Sequence, residues 1–326
     1  MKKVIITGAT GFIGAPLVKR FIESGYKVYA VIRPQSKNFL RLQAMIEAVC
    51  KEKTSKDGEG LSEKQGTVQV IELALEDIDR LPELIEQADC FVHTAWEGIR
   101  GNMRMDEHIQ RKNYENCILA AKAAYAIGCH TFLGIGSQAE YGFVDGVITE
   151  ATLETPNTEY GKMKLATYRK LCEQYKDTNM RIVWGRVFSA YGHGDTPNSL
   201  IETCMRSMRL NEEIALTECT QEWNFIDIDD VIEALFRLVV TDGCEGTYNI
   251  ASEDNRSLKE YVLELKSVMQ SESNIHFGAV PYGVQGPVGF RVNIEKLCNE
   301  LQWKPQISFA EGIRKKIRIE ENYEND

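Results

Sequence analysis

A glycine-rich turn directly after the first apolar segment is the feature that most restricts the fold of this chain. The run Lys3–Thr7 is followed by Gly8, Gly11 and Gly14, in the spacing G-x-x-G-x-x-G. A residue without Cβ at Gly8 permits a tight turn from strand to helix. Gly11 lets a pyrophosphate approach the backbone, and Gly14 permits close packing of the helix on the strand. Because N–H groups at a helix start attract phosphate, this segment predicts a dinucleotide-binding turn.

Short β-branched runs alternate with segments of helical spacing through the first part of the chain. This order predicts an α/β fold, a Rossmann-type doubly wound parallel sheet with helices on both faces. The runs are short and apolar, as is typical of strands that are buried on both faces. The predicted strands are Lys3–Thr7, Lys27–Ile32, Thr67–Leu73, Cys90–Thr94, Thr131–Ile135 and Thr247–Ala251, and the predicted helices are Gly14–Ser24, Gln35–Lys51, Leu81–Gln87, Asp106–Ile127, Tyr160–Tyr175, Asp229–Thr241 and Leu258–Met269.

The regular alternation weakens after Ala190, which predicts a smaller C-terminal substrate-binding lobe beside the α/β domain. We expect residues 1–190 to form the dinucleotide-binding domain, with part of 220–255 returning to it. Residues 191–326 are then expected to form mainly the smaller lobe. The segment Lys51–Gly66 is rich in Lys, Glu, Gly and Ser, which predicts a flexible surface excursion.

Charge and cysteine content exclude several classes of function. A formal net charge of −10 over 326 residues argues against general binding to nucleic acid or to anionic membranes. The glycines begin too early for a signal peptide, and no apolar run approaches the ~20 residues that span a bilayer. The nine cysteines form no C-x-x-C pair, so neither a disulfide framework nor a metal site is indicated. We therefore expect a cytoplasmic protein with reduced thiols.

A tyrosine and a lysine are placed for proton transfer in the helical segment after Pro156. Tyr160 and Lys164 are four residues apart, which puts them on one face of a helix. A nearby ammonium favours the phenolate and lowers the pKa of the phenol, so that Tyr160 can donate a proton to an alkoxide or remove one from a hydroxyl. Alone, such a pair is typical of a solvated helix face; the glycine turn is what favours the catalytic interpretation.

The glycine turn and several later segments resemble the extended branch of the short-chain dehydrogenase/reductase superfamily. This NAD(P)-dependent epimerase/dehydratase family includes nucleotide-sugar epimerases, dehydratases and ketoreductases. The later segments that carry the resemblance are His93-Thr94-Ala95, Asn113, Gly136–Gly142, Tyr160–Lys164, Arg186–Gly192, Phe225–Asp230 and Tyr248-Asn249-Ile250. They are specific for the family and much less specific for the reaction.

The resemblance implies a catalytic set of Ser137, Tyr160 and Lys164. In the family, the serine hydrogen-bonds the reacting oxygen and the lysine also contacts the nicotinamide ribose. The expected cofactor contacts are Gly8, Thr10, Gly11, Phe12, Ile13, Gly14, Arg33, Thr94, Ala95, Asn113, Tyr160, Lys164, Val187 and Phe188.

The end of the second predicted strand departs from the pattern of many relatives. Ile32 stands where they carry an acidic residue for the adenosine ribose, and Arg33 follows it. An arginine can pair with a 2′-phosphate and stack on adenine, and Ser36 and Lys37 are near enough in sequence to assist. The sequence therefore predicts NADP, with NAD as the less favoured cofactor. An Arg33 that is simply a surface residue is the alternative.

The positions after Ser137 also depart from the family's dehydratases, which carry Asp and Glu there. Here the two positions are Gln138 and Ala139. Glu140 comes one place too late, so we expect its side chain to point elsewhere. Without a carboxylate pair, an elimination lacks its acid and its base, which argues against dehydration.

Substrate contacts are expected in both parts of the chain, at Trp96, Gln138, Ser189 and Arg291. Trp96 follows the fourth predicted strand, where it either faces the substrate cleft or packs in the interior. Arg291 resembles an arginine that pairs with a nucleotide diphosphate, for which a bidentate guanidinium is well suited. A second arginine of that clamp is absent, because Glu222-Trp223-Asn224 stands in its place.

Three functions remain open from the sequence. The first is an NADPH-dependent ketoreductase acting on a nucleotide-diphosphate deoxysugar, and the second is a nucleotide-sugar epimerase that retains its dinucleotide. The third is a non-catalytic NADP-binding sensor, against which the intact Ser137, Tyr160 and Lys164 argue. Relatives form homodimers through two helices per subunit, which implies a homodimer through Asp106–Ile127 and Glu159–Tyr175 here.

Overall fold

The structure is a computed structural model of the chain and describes residues 1–54, 66–283 and 289–325. The strands are β1 (Lys3–Thr7), β2 (Lys27–Ile32), β3 (Thr67–Glu72), β4 (Cys90–His93), β5 (Thr131–Ser137), β6 (Val147–Ile148), β7 (Arg181–Val187), β8 (Ser189–Tyr191), β9 (Ile214–Ala215), β10 (Glu222–Trp223), β11 (Phe225–Asp227), β12 (Gly246–Ile250), β13 (Arg256–Ser257), β14 (Ile275–His276) and β15 (Arg291–Val292). The α-helices are α1 (Gly14–Glu23), α2 (Phe39–Thr54), α3 (Leu81–Leu84), α4 (Glu107–Ile127), α5 (Glu159–Tyr175), α6 (Leu200–Arg209), α7 (Ile228–Val240), α8 (Leu258–Met269), α9 (Glu295–Leu301) and α10 (Phe309–Asn325). Short 3-10 helices span Leu75–Arg80, Gly101–Met105 and Gln138–Glu140.

A seven-stranded sheet in the order β12-β7-β5-β4-β1-β2-β3 confirms the predicted Rossmann-type α/β fold. β1 pairs in parallel with both β2 and β4, and the pairs β2–β3 and β4–β5 are also parallel. Val4, Ile5 and Ile6 of β1 are fully buried, as expected for a central strand with helices on both faces. Because the chain passes from β1 to one neighbour and later to the other, the order reverses at the carboxyl end of β1. Ligands of doubly wound sheets bind at such a point, and the glycine turn lies there.

Local hydrogen bonds fix the residues at which the helices α4 and α5 begin. Asp106 precedes α4, and its carboxylate accepts hydrogen bonds from the backbone N–H groups of His108 and Ile109, both at 3.0 Å. α4 ends at Gly128, whose φ of 87° is the left-handed conformation common at helix ends. Thr158 caps α5 by accepting from Gly161 N at 3.1 Å. α4 and α5 pack against one another.

Several predicted boundaries differ from those in the structure. α2 begins at Phe39, later than the predicted Gln35, because Gln35 has a φ of 55° and cannot be helical. The predicted helix Leu81–Gln87 ends at Leu84 and follows a 3-10 helix. α2 continues to Thr54, so the predicted excursion Lys51–Gly66 starts later than expected. Residues 55–65 of that excursion lie outside the described residues.

The chain divides into two compact units. The first comprises Met1–Gly142, Glu154–Arg186 and Ile232–Tyr248, and the second comprises Phe143–Leu153, Val187–Val231 and Asn249–Asp326. The segment Phe143–Leu153, which the sequence places in the first domain, belongs to the second unit because β6 pairs with β15. None of the described helices is long and apolar enough to cross a membrane.

Candidate active site

The glycine turn between β1 and α1 has the close backbone approach that the sequence predicts. Gly8 has a φ of 66°, and a Cβ on it would lie 2.8 Å from the backbone nitrogen of Ala95. A Cβ on Gly14 would lie 2.1 Å from the carbonyl oxygen of Gly8. No side chain caps α1, and the start of a helix attracts phosphate. These residues fit the pyrophosphate of a dinucleotide.

The end of β4 supports this turn from the neighbouring strand. The hydroxyl of Thr94 donates to the carbonyl of Thr7 at 2.7 Å, which ties β4 to the start of the turn. His93 is buried, and its Nδ1 lies 2.9 Å from the Thr7 hydroxyl, while its Nε2 has no partner among the described residues. Burial, and secondarily the charge of Lys164, lowers the pKa of His93 to about 3. His93 is therefore neutral at physiological pH and acts as a structural support of the turn.

The segment after β2 carries Arg33, the predicted ligand of a 2′-phosphate. Ile32 is buried at the end of β2, and Arg33 beside it is exposed. The hydroxyls of Thr10, in the glycine turn, and Ser36 are 3.0 Å apart. This contact joins the glycine turn to the segment of Arg33, so the two predicted parts of the dinucleotide site are adjacent.

The start of α5 lies close to the end of β5, which brings the predicted catalytic residues together. A Cβ on Gly161 would lie 2.2 Å from the carbonyl oxygen of Ala139, so only glycine permits this approach. Tyr160, the residue before that glycine, is 8% exposed and receives a hydrogen bond from Ser137. The resemblance to the family implies that Ser137 lies close to Tyr160. The structure places the two side chains in contact.

Lys164 lies one turn further along α5 and is also buried. Its ammonium donates to the carbonyl of Ile135 at 2.6 Å. It lies 3.6 Å from the centroid of the Trp96 ring and 5.7 Å from that of the Tyr160 ring. Trp96 therefore covers the ammonium, and its ring also stands edge-on to Tyr160, with 6.3 Å between centroids.

Burial dominates the ionisation of the two proton-transfer residues. It raises the pKa of Tyr160, against the lowering effects of the Ser137 hydrogen bond and the charge of Arg104. Burial likewise lowers the pKa of Lys164, because it penalises the charged ammonium. The expectation that Lys164 lowers the pKa of Tyr160 below its ordinary value is therefore wrong for this structure. Tyr160 remains protonated at neutral pH, as a proton donor must be.

The segment after Trp96 is held by two polar residues of α4, one of which the sequence analysis missed. Gln110 is fully buried, accepts from the Trp96 indole N–H at 2.8 Å, and donates to the carbonyls of Gly98 and Met103, both at 2.9 Å. Asn113 uses both ends of its amide on the backbone of Glu97. Its predicted cofactor contact stays a prediction, while its role in shaping this segment is visible. The signal for Gln110 is its position one helical turn before Asn113.

Glu140 points away from the position that a dehydratase acid would occupy, as predicted. Its carboxylate accepts from Ser137 N at 2.8 Å, from Trp184 Nε1 at 3.0 Å and from Arg186 Nε at 2.8 Å. Both members of the Glu140–Arg186 ion pair are fully buried. Glu140 is thus a structural anion that holds the backbone of Ser137.

Gln138 stays a candidate substrate ligand. It is half-buried, and its carbonyl oxygen Oε1 has no hydrogen-bond partner among the described residues. A buried acceptor without a partner costs free energy unless a hydroxyl or N–H reaches it, and the predicted substrate contact of Gln138 stays a prediction.

The remaining predicted site residues lie in the second unit. Val187 and Phe188 begin the second segment of this unit, and Phe188 N donates to the carbonyl of Ile250 at 3.0 Å. Ser189 begins β8. Arg291 forms an ion pair with Glu222, with 2.7 Å between Nε and Oε2. Glu222, one of the three residues that stand in place of the family's second arginine, is therefore the partner of Arg291 in this structure, and the predicted diphosphate contact of Arg291 stays a prediction.

Comparison with known proteins agrees with this geometry. A model of the NAD dependent epimerase/dehydratase family matches residues 4–251. The chain is 23% identical over 327 residues to CDP-abequose synthase of Salmonella muenchen, covering 98% of each. It is 24% identical over 278 residues to dTDP-4-dehydro-6-deoxyglucose reductase of Escherichia coli, covering 74% of this chain and 85% of that protein.

Among solved structures, UDP-glucuronic acid 4-epimerase of Bacillus cereus in complex with UDP-glucuronic acid and NAD has a similar fold. The TM-score is 0.78 at 23% identity, covering 98% of this chain and 99% of that one. The match to the family model extends from the glycine turn through β12 and so includes the Ser137, Tyr160 and Lys164 cluster. The chain therefore belongs to the NAD dependent epimerase/dehydratase family and is an enzyme of the extended short-chain dehydrogenase/reductase type.

Proposed function

We propose that this enzyme is a ketoreductase that uses NADPH to reduce the carbonyl of a nucleotide-linked deoxysugar. The observation that carries the proposal is the cluster of half-buried Ser137 with buried Tyr160 and Lys164, followed by the two non-acidic side chains of Gln138 and Ala139. Glu140, the next carboxylate in sequence, is held by Arg186. With a hydride from the dinucleotide, a cluster that can donate a proton and hold an oxygen suffices for reduction, whereas elimination needs a further acid and base.

The roles of the residues follow from their protonation states. Tyr160, whose phenol stays protonated because it is buried, donates its proton to the oxygen of the reduced carbonyl. Ser137, which hydrogen-bonds Tyr160, holds that oxygen. The bound dinucleotide supplies the hydride. Lys164 has three N–H groups and uses one on Ile135, so others remain for the ribose hydroxyls that the family lysine contacts.

NADPH is the proposed cofactor because Arg33 replaces an acidic ribose ligand. Arg33 is exposed beside the glycine turn, and the preceding Ile32 presents no charge to repel a phosphate. A charge-assisted contact of this kind contributes ~1.5–3 kcal/mol, which is roughly a 10–150-fold preference for NADPH over NADH.

The cofactor preference is tested by measuring dissociation constants for both dinucleotides in the parent protein and in Arg33→Ala. Arg41→Ala, which removes an exposed arginine of α2, is the control and should leave the ratio unchanged. Equal affinities in the parent protein exclude the preference.

Reduction itself is tested by incubating the enzyme with a panel of nucleotide-linked 4-keto-sugars and following NADPH consumption. Tyr160→Phe keeps the ring but removes the proton donor, so we expect a loss of ~10²–10⁴-fold in turnover with dinucleotide binding largely intact. Tyr125→Phe, which alters an exposed tyrosine of α4, should keep full activity. Near-normal activity of Tyr160→Phe would show that the assignment of the proton donor is wrong.

A nucleotide-sugar 4-epimerase is the second candidate. It is favoured by the similarity to the Bacillus cereus 4-epimerase, whose structure contains NAD. An epimerase oxidises and then reduces the same carbon, so it keeps its dinucleotide through purification and consumes none. Dinucleotide released only on denaturation, together with interconversion of sugars without added NADPH, would replace the ketoreductase proposal by this one.

A further inference from the structure

Arg104 lies against the ring of Tyr160 and has no role in the chemistry described so far. It belongs to the 3-10 helix Gly101–Met105, and its guanidinium carbon is 5.1 Å from the centroid of the Tyr160 ring. Its Nε is buried without a hydrogen-bond partner among the described residues, and no ion pair of Arg104 occurs in that part of the chain. Among the described residues, a cation is thus held beside Tyr160 without a carboxylate paired to it.

The position of Arg104 is set by the same polar residue that holds Trp96. Gln110 donates to the carbonyl of Met103, the residue before Arg104, at 2.9 Å. Asp106 N donates to the same carbonyl at 3.3 Å. These two hydrogen bonds fix the backbone of Met103 and Asp106, on either side of Arg104. The position of the Arg104 backbone beside Tyr160 is therefore set by α4.

We propose that Arg104 is a positioning residue of the active site, whose guanidinium stabilises the phenolate form of Tyr160 when the proton is transferred. A guanidinium keeps its charge throughout the working pH range, whereas Lys164 is buried and its ammonium is directed at Ile135 and Trp96. Arg104 therefore supplies a permanent charge at this phenol. The inference rests on the proposed function only through the role of Tyr160 as proton donor.

Besides Arg104, two charged groups and one hydrogen-bond donor near Tyr160 affect its pKa or lie close to its ring. Glu140, from the 3-10 helix after β5, acts in the opposite sense and raises the pKa of Tyr160, while Arg104 lowers it. Lys164 lies on the same helix as Tyr160, with its ammonium 5.7 Å from the ring centroid. Ser137, from the end of β5, contributes a hydrogen bond. The test therefore replaces Arg104 alone and keeps Ser137, Glu140 and Lys164 unchanged.

The experiment is an ultraviolet difference titration of Tyr160. Each variant is compared with the same variant carrying Tyr160→Phe, so that the other tyrosines cancel. Arg104→Gln should raise the pKa of Tyr160 by about one unit, and Arg104→Lys should restore part of the shift. Arg111→Gln removes an equal charge from an exposed position of α4 and should leave the titration unchanged.

The pH dependence of turnover supplies a second measurement. The alkaline limb of the reduction profile should move upward in Arg104→Gln by the same amount as the titration. An unchanged titration in Arg104→Gln, or an equal shift in Arg111→Gln, overturns the inference. Because the titration needs no substrate, its result is independent of whether any keto-sugar is reduced, and failure of the proposed function is seen separately in the substrate panel.

Discussion

Replacement of Glu140 by glutamine should destabilise the first unit by about 3–5 kcal/mol, the usual cost of breaking a buried ion pair from one side. The carboxylate is fully buried and accepts from Ser137 N, Trp184 Nε1 and Arg186 Nε. Each oxygen of the carboxylate faces an N–H donor. In Glu140→Gln, one oxygen is replaced by an NH₂ group, which would face a donor in either orientation of the amide. Arg186 would then be a buried cation with Glu154 as its remaining carboxylate partner.

Glu154→Gln is the matched control for this prediction. Glu154 pairs with the same Arg186 at 2.8 Å, but its side chain is 20% exposed. Water can compensate part of its loss, so we expect a cost of about 1 kcal/mol. The assay is urea unfolding followed by tryptophan fluorescence, to which Trp184 contributes as one of four tryptophans. Equal midpoints for the two variants, or a loss below about 1 kcal/mol in Glu140→Gln, would refute the reasoning.

Three further predictions concern the glycine turn, the pH dependence of stability and the oligomeric state. Gly14→Ala places a Cβ 2.1 Å from a backbone carbonyl, so it should cost about 1–3 kcal/mol and weaken dinucleotide binding in a titration. Gly283→Ala, which meets nothing within 4 Å, should do neither. The pKa of His93 falls from 6.5 to about 3 on folding, so the unfolded state binds the extra proton. Stability should therefore fall by about 1.4 kcal/mol per pH unit from pH 6.5 downward, and His93→Gln should remove that slope in urea melts at several pH values. A homodimer through α4 and α5 should give twice the chain mass by light scattering, and a monomeric mass at micromolar concentration contradicts it.

Elements with strong periodic patterns could be predicted from the sequence residue by residue. β1, β2 and α8 have the predicted bounds, because β-branched runs and apolar spacing define them locally. The start of α2 could not be located, because the helical spacing of apolar residues extends back to Gln35. Only the left-handed backbone conformation of Gln35 excludes this residue from the helix. Spacing alone does not report backbone conformation at such a residue.

The glycine turn, Ser137, Tyr160 and Lys164 could be predicted because each is part of a local pattern with a known geometry. The partnership of Glu222 with Arg291 could not, because it depends on the packing of β10 and β15, which are far apart in sequence. Each residue could be interpreted separately, one as an absent arginine and the other as a phosphate ligand. Only their 2.7 Å contact shows that the two side chains are partners.

The distribution of charge around Tyr160 shows why the sequence analysis misjudged its pKa. The spacing of Tyr160 and Lys164 indicates a shared helix face, but it does not indicate that the ammonium is directed at Ile135 and covered by Trp96. The cation that stands against the ring, Arg104, comes from a short non-periodic segment more than fifty residues earlier, where no pattern marks it. A protonated phenol with such a cation beside it is suited to give up its proton only as negative charge develops on the substrate oxygen, because the cation stabilises the phenolate that remains. The same arrangement is compatible with the proposed role of Tyr160 as a proton donor, although burial raises the pKa of its phenol.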